Sequence, residues 1–216
     1  MRKEIFATGE YYHIYNRGVD KRTVFEDEYD FLRFLKSMEE FNTIDPIGSL
    51  YEKSFKKDTY PQLGNRVSKS ENLVEIIAYC LNPNHYHFLV KQVSDKGIEK
   101  FMHKVGLGYT KYFNHKNDRS GVLFQGKFKA VHVDTNEYLL HLSVYVNLND
   151  QVHKLGNRVS KSSWEEYTGK IVGDGVGICN TEVVMEQFKN IKEYQDFARN
   201  TLARIQERKL LQNEVF

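Results

Sequence analysis

The stretch from Leu73 to Val90 constrains the fold more than any other part of the chain. Leu73 to Cys80 is a run of strand formers, Asn82-Pro83-Asn84 is a turn, and Tyr86 to Val90 is a second strand paired back in a hairpin. The neighbouring segments supply partners for it. Tyr11-Tyr12-His13-Ile14-Tyr15-Asn16, closed by Gly18, reads as a first strand. From Asp27 to Phe41 the residues Phe31, Phe34, Leu35, Met38 and Phe41 recur at helical spacing and predict an amphipathic helix.

Asp95 to Asn114 is a second helix with Ile98, Phe101, Met102, Val105 and Tyr109 on one side, weakened in its middle by Gly106 and Gly108. Phe124 to Val133 is a fourth strand. Asp134 with Glu137 three residues on has the form of a capping box, starting a third helix that runs to about Asn149. The order β-α-β-β-α-β-α places the chain in the α+β class. Its first six elements match the ferredoxin-like βαββαβ arrangement, an antiparallel sheet with helices on one face.

A chain of 216 residues suggests one domain plus an extension. We expect the domain over residues 1–150, with a Pro- and Gly-punctuated loop insertion at about 43–72. Residues 151–216 form a C-terminal extension with a Gly-rich stretch (Gly169 to Gly177) and a charged, helical tail from Thr181 to about Gln212. An identical octapeptide, Leu63-Gly64-Asn65-Arg66-Val67-Ser68-Lys69-Ser70, recurs at Leu155 to Ser162. Surface loops accept such additions cheaply. A functional reading would make Arg66/Lys69 and Arg158/Lys161 paired DNA contacts.

Composition narrows the setting. The two cysteines, Cys80 and Cys179, form no CxxC pattern, which argues for a reducing compartment and against a zinc ribbon or disulfide scaffold. Met1 to Phe6 has no apolar core of a signal peptide, and no run approaches the length of a membrane span. A cytoplasmic protein is expected. With a net charge of only +2, nucleic-acid binding has to use a local basic patch. Aromatics make up 13% of the chain, with 14 Tyr and 14 Phe, as suits strand-rich packing or base stacking.

The sharpest chemical feature is His85-Tyr86-His87. Side chains alternate across a strand, so the two imidazoles share a face and Tyr86 takes the other. Such a pair can ligate a divalent metal, but an HxH alone is equally compatible with two exposed strand histidines. The second feature is Tyr145 and Asn149, one helical turn apart. The phenol could be a nucleophile and the amide oxygen a third ligand, but on spacing alone a buried aromatic and a helix-ending Asn is the favoured reading.

Taken together, these motifs resemble the IS200-like single-tyrosine (Y1, HUH) transposases, including REP-associated tyrosine transposases. The resemblance covers roughly residues 9–150. It rests on Tyr12-His13-Ile14-Tyr15-Asn16-Arg17-Gly18, Pro83-Asn84-His85-Tyr86-His87-Phe88-Leu89-Val90 and Tyr109-Thr110-Lys111-Tyr112-Phe113-Asn114. It continues through Leu123-Phe124-Gln125-Gly126-Lys127-Phe128-Lys129 and Tyr145-Val146-Asn147-Leu148-Asn149. It implies that His85, His87 and Asn149 hold Mg²⁺ or Mn²⁺, that Tyr145 attacks a DNA phosphate, and that the product is a 5′-phosphotyrosine with a free 3′-hydroxyl. The N,N,O ligand set suits Mn²⁺ better than Mg²⁺ by softness. Asp150 stands where many relatives have Pro, so the helix can end differently there, and its carboxylate could compete as a ligand.

For single-stranded or hairpin DNA we expect contacts from Lys111, Tyr112, Lys116, Arg119, Lys127 and Lys129, a basic cluster interleaved with aromatics, and from Arg17 beside the site. The same charges could equally be a solvated surface. Among the other histidines only His141 stands out, one turn before Tyr145 on its face. Active sites formed within one chain and sites shared across a homodimer are both open. The alternative function is a non-catalytic single-strand or hairpin binder derived from such a transposase. A cupin-like metal enzyme also uses HxH, but the helical segment at 134–149 occupies the place of its later ligands.

Overall fold

The two central runs do pair as a hairpin: β2 (Val74–Asn82) lies antiparallel to β3 (His85–Gln92) across the Pro83-Asn84 turn, with Asn82 opposite His85. This computed structural model describes residues 5–45, 71–153, 155, 160–170 and 177–213. Most of the expected 43–72 insertion, including the whole first copy of the octapeptide, lies outside the described residues, as does Arg158. In the second copy, Lys161 is paired with Glu28 at 2.8 Å.

β1 (Tyr11–Arg17) joins the other edge of β3, β4 (Lys129–Val133) follows β1, and the two-residue β5 (Lys161–Ser162) adds to β2. The order is β4-β1-β3-β2-β5, and every pairing is antiparallel. The α+β class and the split βαββαβ core are therefore as the sequence suggests.

The period-two alternation of the strands divides the molecule into two layers. Tyr86, Phe88 and Val90 of β3 join Tyr12 and Ile14 of β1 in one apolar core. Helix α1 (Glu28–Phe41) and helix α2 (Gly97–Lys116) cover that face with Phe31, Phe34, Phe101, Val105 and Tyr109. Asp27 caps α1, its side chain accepting from Asp30 N. Helix α2 runs unbroken through both of its glycines. A Cβ at Gly108 would come within 2.7 Å of the Phe41 ring, so this glycine lets α1 and α2 close on each other.

The odd residues of β3 face the other way, where helix α3 (Asn136–Asn147) packs with Leu139, Leu142 and Val146 against Ile77, Cys80 and Leu89. Register slips between Ile76 and Ala78, which turns both Ile77 and Ala78 toward this layer. The C-terminal extension shares the same core. Its short helices α4 (Asn149–Val152), α5 (Trp164–Tyr167) and α6 (Glu182–Met185) lead to the long α7 (Ile191–Asn213), and Tyr167, Val184, Tyr194 and Ala198 are buried here. Helices thus cover both faces: the split-fold pair on one, α3 and the extension on the other.

Three boundaries differ from expectation. The fourth strand begins at Lys129 rather than Phe124, because Gly126 at φ +66° turns the chain and leaves Phe124 only an isolated bridge to Gly18. The cap of α3 is Thr135, which accepts from Tyr138 N at 3.2 Å, not Asp134. Finally, α3 ends at Asn147. Leu148 leaves helical geometry, and Asn149 opens the separate turn α4.

Candidate active site

His85 and His87 project from the odd face of β3 toward α3, as the strand alternation requires. Tyr145 of α3 meets them: its ring centroid lies 5.5 Å from that of His87 and 5.9 Å from that of His13, edge to face in both cases. Tyr15 stacks on the other side of His87 at 5.6 Å. Asn149 arrives from α4, fully buried, with Oδ1 3.1 Å from His85 Nε2. The strand and the distant helix therefore bring two imidazoles, a carboxamide and a phenol together within one chain.

Hydrogen bonds fix the orientation of these groups. His85 Nδ1 lies 2.7 Å from Asn84 Oδ1, an acceptor, so this nitrogen carries the proton and Nε2 keeps its lone pair. That lone pair and Asn149 Oδ1 are two acceptors facing one another, and the buried Asn82 amide donates to both, at 3.0 and 2.8 Å. His87 is anchored separately, with Nδ1 2.9 Å from His13 Nε2.

Burial keeps these groups neutral. It pushes His13 down to about 4. His87 is held well below the usual imidazole range by burial and then by His13, His85, His153 and Lys209 around it. His85 is lowered by burial; Asn149 Oδ1, which can accept from Nε2 only in the protonated ring, opposes this, and Lys209 and Arg17 reinforce it. The Tyr145 phenol is raised by burial, while the Asn149 carboxamide beside it favours the phenolate.

A neutral imidazole whose lone pair meets an amide oxygen, with a second neutral imidazole on the same strand face, is a donor set that a divalent cation fits. Among the described residues no group of three or more His, Cys, Asp and Glu could hold a metal ion, and the oxygen donor that meets His85 is the Asn149 carboxamide. The Asn149 amide nitrogen is buried and, among the described residues, meets no acceptor at hydrogen-bonding geometry. Asp150, the other oxygen donor considered, lies beside the Cys80 thiol.

Residues 50–149 match the family described as transposase, IS200 like. The chain also resembles the solved structure of a REP-associated tyrosine transposase bound to a REP hairpin, at 11% identity and a TM-score of 0.50, over 82% of this chain and 91% of that one. At such an identity the likeness shows a shared fold. No curated protein matches the chain.

The expected DNA contacts do not form one cluster. Arg17 and Lys129 are on the His85/His87 face: Arg17 sits directly opposite His85 in the β1–β3 pairing, and Lys129 Nζ lies 6.0 Å from the Tyr15 ring. Arg17 is tied to Gln125. Lys111, Tyr112 and Lys116 belong to α2, on the opposite face of the sheet. Tyr112 donates to Asp30 at 2.8 Å, and Lys116 bonds Asp27 and Asp30 at 2.7 and 2.8 Å, so both are structural contacts of α1 with α2. Arg119 is bound to Asn114 and to the Val122 carbonyl. Lys127 lies on a second cleft, of about 610 Å³, beside Phe124 and Phe128.

Several residues around the candidate site are not marked by sequence spacing. His13, Tyr15 and His153 surround the imidazole pair, with the His153 ring 5.4 Å from that of His85. His13 reaches His87 only because β1 and β3 pair with Tyr15 opposite His87, a register that no local pattern displays. His141, one turn before Tyr145, points instead to α7: its Nδ1 is 3.2 Å from Thr201 Oγ1, and its ring lies against Phe197. No helix among the described residues is long and apolar enough to cross a membrane.

Proposed function

We propose that the chain cleaves and rejoins single-stranded DNA through a 5′-phosphotyrosine formed on Tyr145, with a divalent cation held by His85, His87 and Asn149. The observation that carries this reading is the meeting of the Tyr145 ring with His87 at 5.5 Å while Asn149 stands 3.1 Å from His85. The family match supports the reaction class, since single-tyrosine chemistry needs this set of side chains in one place.

Phosphodiester cleavage requires an in-line nucleophile and neutralisation of charge on the phosphate. Bound Mg²⁺ or Mn²⁺ would polarise the scissile phosphate and stabilise the oxygens that gain charge. The protein's own part is placement and proton handling. Tyr15 and His13 hold the His87 ring, and α3 presents the phenol to it. Burial keeps the phenol protonated at neutral pH, so its proton leaves as the Oη–P bond forms, to water in the cleft that Tyr145 lines, because the ligating imidazoles have no free lone pair to take it. The P–O bond to the 3′ oxygen breaks as the new one forms, releasing a 3′-hydroxyl. Reversal uses the energy kept in the phosphotyrosine, so rejoining needs no nucleotide.

The structural neighbour is bound to a REP hairpin, which makes a hairpin-bearing single strand the substrate to try first. Incubation of such an oligonucleotide with Mn²⁺ is expected to give a denaturation-resistant protein–DNA adduct, abolished in Tyr145→Phe while hairpin binding survives. Binding without an adduct under any divalent metal would instead make the chain a hairpin-binding relative that has lost the reaction.

A further inference from the structure

Tyr145 and His87 open onto a cleft of about 720 Å³ whose far side is not part of the βαββαβ core. That side is α7, which brings Arg204 and Arg208 into the lining. Spaced i,i+4, the two guanidinium groups lie one turn apart on a single helical face. The helix is fixed rather than loosely laid. Ala198 is fully buried, and the buried Tyr194 hydroxyl bonds Ser143 and Asn147 of the tyrosine helix at 3.2 and 3.1 Å. Thr201 meets His141 one turn before Tyr145.

The charges on this wall are unbalanced. Arg199, earlier on the helix, is paired with Asp196, whereas Arg204 and Arg208 have no hydrogen-bond or ion-pair partner among the described residues. Glu137 is the one acidic side chain in the lining. Lys209, next along the helix, reaches His153 at 3.4 Å and adds positive potential at the His85 end. Cationic forks held in a cleft beside a nucleophile suit a phosphate group, which guanidinium binds in two-pronged fashion.

We propose that Arg204 and Arg208 bind the phosphodiester backbone of the DNA strand next to the phosphate that Tyr145 attacks, making the C-terminal extension a working wall of the site. The inference rests on the reading of Tyr145 as the nucleophile, and its test separates the two. Binding of a fluorescent hairpin-bearing single strand would be measured in EDTA over a range of KCl for the wild type, Arg204→Ala/Arg208→Ala, the corresponding double Lys variant and Arg199→Ala. Both arginines are exposed and Ala favours helix, so the fold is retained.

Loss of two phosphate contacts should flatten the log–log salt dependence by about 1.4 and weaken binding roughly tenfold or more at low salt. The double Lys variant should recover most of that slope, and Arg199→Ala should match the wild type. An unchanged slope in the double Ala variant, or no single-strand binding by the wild type, overturns the proposal. A flattened slope in the double Ala variant, with a wild type that forms no adduct, supports the arginine contact while removing Tyr145 as nucleophile. A Tyr145 adduct with an unchanged slope removes the arginine contact alone.

Discussion

The two faces of β3 carry alternate residues of one eight-residue strand and have opposite characters. Tyr86, Phe88 and Val90 enter a close-packed aromatic layer beneath α1 and α2, with Tyr86 and Phe88 stacked at 4.6 Å. His85 and His87, displaced by a single residue each, look onto Tyr145, Asn149 and an open cleft. Polar groups on the second face are buried too, yet they meet one another beside a cleft instead of being packed away. One face supplies the rigidity that lets the other hold neutral imidazoles, a carboxamide and a phenol in register.

If that division of labour is right, substitutions one residue apart must fail in different ways. His87→Ala, or EDTA added to the wild type, should lower adduct yield by roughly two orders of magnitude or more, with the unfolding midpoint in urea nearly unchanged. A variant that cleaved normally without His87 would make the imidazole pair decoration. Phe88→Ala, one position along, should cost about 3–5 kcal/mol of stability, read from the same urea curves. Any adduct lost in that variant should return under conditions that restore the fold.

The smallest effect is expected on the far face. Lys116→Ala removes a partner of the fully buried Asp30 and should cost about 1–2 kcal/mol, while hairpin affinity changes less than twofold. A large loss of DNA affinity there would put the nucleic acid on α2 and dissolve the contrast between the faces.

Local patterns made part of this legible. The HxH alternation assigns His85 and His87 to one face because side chains repeat every two residues, and Asp27 before an apolar helical run announces the start of α1. Tyr145 and Asn149 stay side by side, as their spacing suggests, even though Leu148 departs from helical geometry between them. Other features depend on contacts distant in sequence. His13 acquires its role from strand register, and Arg204 and Arg208 from the docking of α7. The sequence of Lys116 and Tyr112 displays charge and aromaticity but not the Asp30 carboxylate, 86 and 82 residues away, that holds both. Charge clustering in sequence says nothing about which face of a sheet a helix covers.

The central claim is that one chain supplies the whole constellation. Mixing equal amounts of Tyr145→Phe and His87→Ala proteins, each inactive alone, tests it in a single denaturing gel. A site assembled within one chain leaves the mixture without adduct. Restored adduct would mean that the phenol of one molecule serves the imidazoles of another, contrary to the arrangement described above.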